Sequence, residues 1–476
     1  MSTSATTPTN PRTSEETFRD KITTVDEQGK RVWLYPKKPK GRYYNARTWV
    51  SIGLLAILFG GPFIKIGGEP ILLLNVLERK FIIFGQVFWP QDFHLFALGV
   101  LTMVVFIVLF TVVYGRLFCG WVCPQTIFME MVFRKIEYAI EGDYTAQKKL
   151  DKQPWNQEKI IKKGSKHTIF FTISFLIANT FLAYIIGIEE LFQIVTDPPS
   201  QHLAGLTAIL LFTGAFYFVF ASFREQVCTN VCPYGRLQGV LLDRQSVVVA
   251  YDYGRGESRG KFRKGEDRQE VGKGDCIDCK QCVYVCPTGI DIRNGTQLEC
   301  VNCTACMDAC DEIMDRINLP RGLVRYASEE NIAENRPFHW TKRSIAYSVV
   351  LLALLGVLTS LLILRTDVET SILRTPGMLY QDQGDNKISN LYNVKIINKT
   401  NEAMPIRLEL LDEKGSIQMV GNDELQVKEQ DVAEGAFFII FDRDDVSQMK
   451  NAVEVGVYRN DELIETVKTN FLGPNK

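Results

Sequence analysis

This chain of 476 residues has no isolated cysteines, no excess of charge of either sign and no cluster of histidines. The formal net charge is -1, so the sequence carries no basic footprint for nucleic acid. All 12 cysteines fall into clustered motifs, a pattern that does not indicate a disulfide framework. There are only four histidines, and no apolar run holds an inward-facing pair of them, which argues against haem held between two histidines inside a membrane. The cysteine clusters indicate metal or redox chemistry instead.

Both ends of the chain also lack features that would assign them a function. Residues 1–46 do not show the charged, apolar and small-residue segments of a cleaved signal peptide, and we expect them to form a flexible cytosolic arm. Residues 366–476 contain no Cys, no His and no nucleophile constellation, so catalysis is not expected there. Alternating segments such as Ile406, Leu408 and Leu410, separated by turns, predict a small antiparallel sandwich with a role in interaction or assembly.

The densest motif is a cysteine run written twice, Cys-x2-Cys-x2-Cys-x3-Cys. Pro287 follows the first run, and Asp311 stands where a second proline would be usual. In bacterial ferredoxins the fourth cysteine of each run ligates the other cluster. We therefore predict two [4Fe–4S] clusters, one on Cys276, Cys279, Cys282 and Cys310 and the other on Cys300, Cys303, Cys306 and Cys286. Zinc sites and disulfides are the alternatives, but zinc favours paired Cys-x2-Cys units and disulfides are rare in the cytosol.

Apolar runs of about 20 residues, the length that a bilayer requires, predict five membrane spans. They cover residues 48–66, 94–114, 168–188, 202–222 and 345–364. Residues 69–88 are apolar too, but charged residues 78–80 interrupt them, so we expect an interfacial or re-entrant segment and no sixth span. Lys and Arg are abundant before the first span and between the second and third, and absent from residues 189–201. By the positive-inside rule, the N-terminus and the double run lie in the cytosol and the C-terminal domain lies in the periplasm.

The other cysteines form two Cys-x3-Cys-Pro motifs at the ends of spans. Arg116 precedes the first motif and Arg224 the second, and the two spans begin at His94-Leu95 and His202-Leu203. This pattern indicates a two-span unit used twice in the same orientation. The motif cysteines are Cys119, Cys123, Cys228 and Cys232. We expect the two histidines to lie near the outer face, where water or lipid headgroups satisfy them.

These four cysteines are the candidates for a second, separate site. Residues four apart on a helix share a face, so each pair is expected to present two sulfurs to one point, and two pairs would form a four-thiolate surface. Soft thiolates select Cu(I), zinc or iron–sulfur clusters, and Met129 and Met131 could add weak soft ligands. Structural cysteines at helix ends and a redox disulfide are the alternatives.

Together these motifs resemble the FixG/RdxA/CcoG family of cytochrome oxidase accessory proteins. The resemblance covers nearly the whole chain and rests on RLFCGWVCPQT, REQVCTNVCPYGR, CIDCKQCVYVCPTGIDIR, ECVNCTACMDACD and an immunoglobulin-like tail after the last span. It implies a role in assembling cbb3-type cytochrome c oxidase, by reducing Cu(II) to Cu(I) for copper delivery. The implied copper site is Cys119, Cys123, Cys228 and Cys232, and the eight ferredoxin-type cysteines become an electron relay.

The expected fold is a multi-domain membrane protein with an α-helical transmembrane bundle of about five spans, an inserted ferredoxin-like domain with two [4Fe–4S] clusters, and a C-terminal all-β immunoglobulin-like sandwich. The predicted parts are an arm (1–46), a four-span domain (47–235), a cytosolic cluster domain (236–340), a fifth span (341–365) and a periplasmic domain (366–476). The expected location is the bacterial inner membrane.

Two other functions stay open. One is a quinol-linked electron-transfer subunit, since the Cys-x3-Cys-Pro spans also resemble those of NapH. The other is an oxidase assembly scaffold whose clusters are structural. The expected partners are the bilayer, cbb3-type oxidase subunits or copper transporters and chaperones, and a cytosolic electron donor. A homo-oligomer is also open, and nucleic acid is not expected.

Overall fold

The computed structural model describes residues 24–474, apart from residues 27, 29, 78–79, 264, 269, 338, 378, 401, 413, 422–424 and 447. Residues 1–23 of the predicted arm therefore lie outside the described residues, as do residues 475–476. The chain divides into two compact units. The first runs up to Gly61 and again over Leu98–Gly356, and the second comprises Pro62–Ala97 and the chain from Val357 onward.

Five helices within the described residues are long and apolar enough to cross a membrane, which confirms the five predicted spans. Their bounds are Arg42–Gly60, Phe93–Tyr114, Gln157–Ile186, Leu203–Phe218 and Lys342–Ile363. A 3-10 turn, Gly61–Phe63, extends the first span, and a π-helical turn, Val219–Phe223, extends the fourth. No more than 28% of any apolar stretch is buried within the protein, so most of these side chains are left to meet lipid.

Short helices follow the second and the fourth span. After the second they are Leu117–Trp121, Pro124–Thr126, the π-helical segment Ile127–Phe133, Arg134–Ile140 and Tyr144–Lys152. After the fourth they are the π-helical turn Val227–Val231 and the helix Pro233–Leu241. The third and fourth spans are joined through Ile188–Thr196 and the 3-10 turn Pro199–Gln201. Because π-helical turns often mark functional sites, their presence beside both Cys-x3-Cys-Pro motifs indicates a functional role for this region.

Aromatic side chains hold these connections against the spans. The ring of Phe133, on the π-helical segment, stacks on Phe220 with centroids 4.7 Å apart and meets Phe170 edge-on at 4.7 Å. All three side chains are at most 2% exposed. Aromatic pairs of this geometry contribute about 1 kcal/mol each beyond the area they bury. The π-helical segment is therefore fixed to the third and fourth spans.

The double cysteine run lies on loops and short helices beside a two-stranded sheet. Strand Val248–Tyr251 pairs antiparallel with Val324–Ala327 and closes the segment between them. The helices are Tyr253–Gly256, Gln281–Tyr284, Ala305–Arg316 and Glu329–Glu334, with a 3-10 turn at Ile292–Asn294. Val249, Ile290 and Leu323 form a core of buried residues with four of the run's cysteines packed on its edge. The sheet thereby holds together the two ends of the segment that carries the double cysteine run.

The second unit contains the predicted antiparallel sandwich. Its strands are β1 (Val368–Arg374), β2 (Gln381–Gly384), β3 (Lys387–Asn398), β4 (Met404–Leu410), β5 (Gly415–Met419), β6 (Leu425–Val427), β7 (Val432–Asp442), β8 (Lys450–Arg459) and β9 (Glu462–Leu472). One sheet has the order β5-β7-β3-β1, with β2 beside β3, and the other has the order β6-β4-β8-β9. Tyr392, Phe437 and Phe471 are fully buried in its core.

The described residues of 69–88 form a small β-meander, and none of the five candidate membrane helices found among the described residues includes them. Its strands are Leu72–Asn75, Lys80–Ile83 and Gln86–Phe88, preceded by the pair Lys65–Ile66 and Glu69–Pro70. The guanidinium of Arg365 donates to the carbonyl oxygen of Val87, which lies 278 residues away in sequence. This segment belongs to the same compact unit as the sandwich, so the predicted 47–235 domain is interrupted here. Its location at the membrane interface stays a prediction.

Candidate metal centres

The first cavity is lined by Cys276, Cys279, Cys282 and Cys310. The first three come from the loop and short helix of the first run, and Cys310 comes from helix Ala305–Arg316. The structure thus brings together the four cysteines that the ferredoxin pattern groups.

The second cavity is lined by Cys286, Cys300, Cys303 and Cys306, and Cys282 also reaches its wall. Three of these five cysteines come from the second run, and Cys282 and Cys286 come from the first. Cys282 borders both cavities, so Cys286 is the first-run cysteine that lines the second cavity alone, as Cys310 is the second-run cysteine that lines the first.

The two runs repeat an unusual backbone conformation. Asp278 and Lys280 flank Cys279 with φ angles of 53° and 56°, and Asn302 and Thr304 flank Cys303 with 51° and 63°. Left-handed conformations cost free energy in non-glycine residues and persist where the surrounding structure requires them. Here they curl each loop so that its cysteines turn toward one cavity.

Burial sets the protonation state of these thiols. It raises the pKa of Cys282 and Cys303 to about 12 and that of Cys300 to about 11. The pKa values of Cys286 and Cys306 are also raised by burial, although backbone amides such as that of Thr288 oppose the shift at Cys286. Buried, protonated thiols are poor nucleophiles, but they deprotonate on binding metal. Four thiols around each of two adjacent cavities are a donor set that fits two [4Fe–4S] clusters.

The Cys-x3-Cys-Pro motifs do not lie on continuous helices, which corrects the expectation that each pair shares one helix face. Cys119 lies on helix Leu117–Trp121, whereas Cys123 precedes the next helix with ψ of 122°. Cys228 lies in a π-helical turn, and Cys232 follows it with ψ of 112°. A proline excludes the helical conformation at the residue before it, so the prolines at 124 and 233 break each motif at its second cysteine.

The four motif cysteines are nevertheless neighbours. Burial, together with the nearby sulfurs of Cys123, Cys119 and Cys232, raises the pKa of Cys228 to about 12. Burial likewise raises the pKa of Cys119 to about 11, opposed by a hydrogen bond from Gln238, whose amide donates to the sulfur at 3.2 Å. These four sulfurs form what we call the thiolate site. All of them are free thiols.

No group of three or more His, Cys, Asp or Glu in the described part of the chain is arranged to hold a single metal ion. Neither the thiolate site nor either cavity has such an arrangement. In a [4Fe–4S] cluster the four thiolates bind different irons, so the cavities are not expected to converge on one point. At the thiolate site, binding of one ion by three or more sulfurs would require the motifs to move together.

The thiolate site lies directly against the second cavity. Cys119 and Cys228 pack on the same buried cluster as Cys303 and Cys306. Val285, Val301, Ala305 and Ala309 complete that cluster. The other buried members of this cluster are small and apolar, so they let the thiolate site and the second cavity approach closely.

The two methionines suggested as weak ligands are both buried on the π-helical segment. Met129 is 3% exposed and packs in an apolar core with Phe128 and Phe170. Met131 is 7% exposed. Core packing accounts for the burial of Met129 without a bound metal.

A buried ionic network was missed by sequence reasoning. Arg134 is 2% exposed, lies 3.2 Å from a carboxylate oxygen of Glu130 and 3.9 Å from one of Glu225. Arg224 makes a two-point contact with Glu137. Breaking such a buried pair costs about 3–5 kcal/mol. The network ties the segment after the first motif to the residues just before the second, so it helps to hold the two motifs together.

The two span-initial histidines have different surroundings. His202 lies 3.1 Å from a carboxylate oxygen of Asp197, and the pair is partly exposed. His94 is exposed at the start of the second span. Neither contact places a histidine among the cysteines.

Three family profiles match the chain. A profile described as a 4Fe-4S dicluster domain matches residues 223–329, which include all eight run cysteines. A profile described as a 4Fe-4S binding domain matches residues 96–140, which include Cys119 and Cys123. A profile described as an IG-like fold at the C-terminus of FixG matches residues 358–474.

Whole-chain relatives agree with the profiles. Protein RdxA of Cereibacter sphaeroides is 36% identical over 394 residues, covering 79% of this chain and 82% of RdxA. Nitrogen fixation protein FixG of Rhizobium meliloti is 32% identical over 421 residues, covering 80% of this chain and 79% of FixG. Ferredoxin-type protein NapH of Escherichia coli is more distant, at 25% identity over 46% of this chain and 68% of NapH.

The cavities, the profiles and the membrane helices define the class: this is a membrane-associated iron–sulfur electron-transfer protein with an immunoglobulin-like C-terminal domain. Within that class, the chain belongs to the FixG/RdxA family. The resemblance read from the motifs is therefore confirmed.

Proposed function

We propose that this protein carries electrons from a cytosolic donor through two [4Fe–4S] clusters to copper at the thiolate site, and so supplies Cu(I) for assembly of a cbb3-type cytochrome c oxidase. In this proposal Cys276, Cys279, Cys282 and Cys310 hold the first cluster. Cys286, Cys300, Cys303 and Cys306 hold the second. The observation that carries the proposal is the packing of Cys119 and Cys228 on the same buried cluster as Cys303 and Cys306.

The cysteines of the thiolate site suit copper as a substrate. When bound, the clusters supply electrons one at a time, and each copper ion takes up one electron to pass from Cu(II) to Cu(I). Burial keeps Cys119 and Cys228 protonated at neutral pH when no metal is bound, so copper capture releases protons. Soft thiolates favour Cu(I) over Cu(II), so the same sulfurs assist the reduction.

The membrane arrangement belongs to the same proposal. We place the N-terminus and both clusters in the cytosol, since the basic residues concentrate before the first span and between the second and third. The sandwich then lies in the periplasm of a bacterium, in contact with oxidase subunits or with copper transporters and chaperones. The domain boundaries follow the parts predicted from the sequence, with Pro62–Ala97 joined to the sandwich.

Single-turnover copper reduction tests the proposal. Anaerobically purified protein is reduced, freed of reductant and mixed with Cu(II), while the cluster EPR signal and a Cu(I)-specific chelator are followed together. We expect one Cu(I) for each electron lost. The double variant Cys119→Ser, Cys228→Ser should keep about eight irons per chain, as two cubanes require. It should form Cu(I) only at the rate seen in buffer without protein.

Met129→Leu serves as the matched control, because it changes a buried sulfur near the motifs while conserving volume. It should reduce copper at the wild-type rate. Wild-type copper reduction in the double variant, with native cluster spectra, would remove the thiolate site from the mechanism.

The likeness to NapH over 46% of the chain favours a second candidate, electron exchange with a quinol pool. The reduced protein would then lose its cluster signal on mixing with a quinone analogue, and copper would have no effect on the rate. Reoxidation by copper alone supports the copper proposal, and reoxidation by quinone alone supports the quinol-linked one.

A further inference from the structure

Arg47 joins the first Cys-x3-Cys-Pro motif to the second cavity. It lies near the start of the first span and is 5% exposed. Its Nε donates to the carbonyl oxygen of Gly120 at 2.9 Å, and its Nη1 donates to that of Cys303 at 2.8 Å. Gly120 directly follows Cys119. The guanidinium of Arg47 therefore fixes the backbone beside Cys119 of the first motif and the backbone of Cys303 in the second cavity at the same time.

Arg116 makes the equivalent connection for the second motif. It is also 5% exposed. Its Nη2 donates to the carbonyl oxygen of Gly235 at 3.1 Å, just after Cys232-Pro233. Its Nη1 donates to the carbonyl oxygens of Leu298 and Cys300, the latter at 3.1 Å. Each motif is thus tied to the second cavity by its own buried arginine.

The internal repeat does not explain this pattern. Arg224 holds the position in the second motif that Arg116 holds in the first, yet Arg224 binds the carboxylate of Glu137. Arg47 lies outside the repeat altogether. The two arginines therefore share a role that comes from their position between the two sites, and not from common descent of the motifs.

Their chemistry has two consequences for electron transfer. The acceptors in these contacts are all carbonyl oxygens, so no carboxylate is hydrogen-bonded to either guanidinium in them, although the charge of Arg47 also acts on the buried carboxyl group of Glu130. A buried positive charge beside a redox centre favours the state that carries one more electron. In addition, two-point hydrogen bonding from a planar guanidinium fixes the separation of the two loops, which lysine cannot reproduce.

We propose that Arg47 and Arg116 are positioning residues that make the second cavity the exit point for electrons, by raising the reduction potential of the cluster there and by holding the thiolate site against it. Electrons then enter at the first cavity and leave at the second. The destination of the electrons rests on the proposed function, whereas the effect on the potential does not.

Two substitutions at position 47 separate the two effects. Arg47→Gln removes the charge, so an EPR-monitored redox titration should show a lower potential for one cluster and no change for the other. Arg47→Lys keeps the charge but loses the two-point hold. It should leave the potential near the wild-type value and slow reoxidation by Cu(II) by about tenfold to a hundredfold, the usual penalty of a misplaced reacting pair.

Arg268→Gln is the matched control. Arg268 is 7% exposed and donates to the carbonyl oxygens of Gly274 at 2.6 Å and Cys276 at 3.1 Å, so it caps a cysteine of the first cavity in the same way. Its variant should shift the potential of the cluster in the first cavity and leave unchanged the rate at which the cluster in the second cavity is reoxidised by Cu(II).

Unchanged potentials in both Arg47→Gln and Arg116→Gln would overturn the proposal, as would equal slowing of reoxidation in Arg268→Gln. Should Arg47→Gln fail to retain iron, Arg116→Gln carries the measurement of the potential. A wild-type protein that does not reduce copper would refute the proposed function, yet the redox titrations would still decide whether these arginines tune the second cluster.

Discussion

Gly120 lies so close to Asn302 that a Cβ at position 120 would stand 2.3 Å from the Asn302 carbonyl oxygen. Gly120 follows Cys119, and Asn302 precedes Cys303. The two candidate sites are therefore in backbone contact, without any intervening side chain, at this point.

Gly120→Ala should separate the thiolate site from the second cavity. Because backbone atoms cannot yield as a flexible side chain can, the loops must move apart, and we expect copper-dependent reoxidation to slow by about tenfold or more. Gly164→Ala is the control, since nothing lies within 4 Å of a Cβ there. Equal rates in the two variants, measured by stopped flow, would show that the close contact is not part of the electron path.

Cys310→Ser and Cys286→Ser should each damage the cluster of the opposite run. Cys310 lines the cavity of the first run, and Cys286 lines that of the second. Each variant should fall from about eight to about four irons per chain, and the EPR signals that remain should differ between the two variants. If Cys286→Ser and Cys276→Ser lost the same signal, the crossed arrangement would be refuted.

Asp92→Asn should destabilise the second unit by about 3 kcal/mol, because Arg365 and Lys399 lose the buried carboxylate that they share and Lys399 keeps only the more exposed one of Glu369. Lys399 Nζ and Arg365 Nη2 donate to the Asp92 carboxylate at 2.9 and 2.7 Å. Thermal unfolding followed by proteolysis of the sandwich measures the loss. Glu434→Gln is the control: its pair with Lys395 is exposed and should contribute less than about 1 kcal/mol.

The same carboxylate predicts a pH dependence. Burial would raise the pKa of Asp92, but the hydrogen bond from Lys399 and the charge of Arg365 outweigh burial and lower it below its usual value of 3.8. The stabilisation is therefore complete above the unfolded pKa and is lost as the pH falls through the lower, folded value. Acid unfolding of the wild type should be steeper than that of Asp92→Asn below pH 3.8.

Reporter fusions test the proposed sidedness. Alkaline phosphatase, active only outside the cytosol, should be active when fused after residue 476 or within residues 189–201. A fusion after residue 241 should be inactive, since the cluster region is placed inside. Activity at residue 241, with full-length fusion protein present, would contradict the arrangement in which a cytosolic donor feeds the clusters.

What the sequence predicts well is local in origin. The cysteine spacing is enough to group four residues around each cavity, because short loops leave a run few ways to fold. The five spans follow from length and hydropathy alone. The alternating strands of the sandwich follow from the period of two, as in β1, whose buried residues alternate with more exposed ones.

What the sequence does not reveal depends on distant partners. From the sequence, residues 69–88 look like an interrupted apolar run, because the residues that hold this region are distant in the chain. Arg365 donates to the carbonyl oxygen of Val87, and Lys399 donates to the carboxylate of nearby Asp92. Arg47 and Arg116 count as ordinary basic residues at span ends until the structure shows their carbonyl acceptors. The break in each Cys-x3-Cys motif did have a local signal, the following proline, which the i, i+4 argument overlooked.

The division of cysteines between the cavities has a consequence for biogenesis. Ribosomes deliver Cys300, Cys303 and Cys306 after Cys286, so the cavity of the second run has its full set once residue 306 emerges. The cavity of the first run begins earlier yet waits for Cys310. The cavity of the first run is thus started first and completed last. A chain terminated between Cys306 and Cys310 would keep all four cysteines of the second cavity and lack one cysteine of the first.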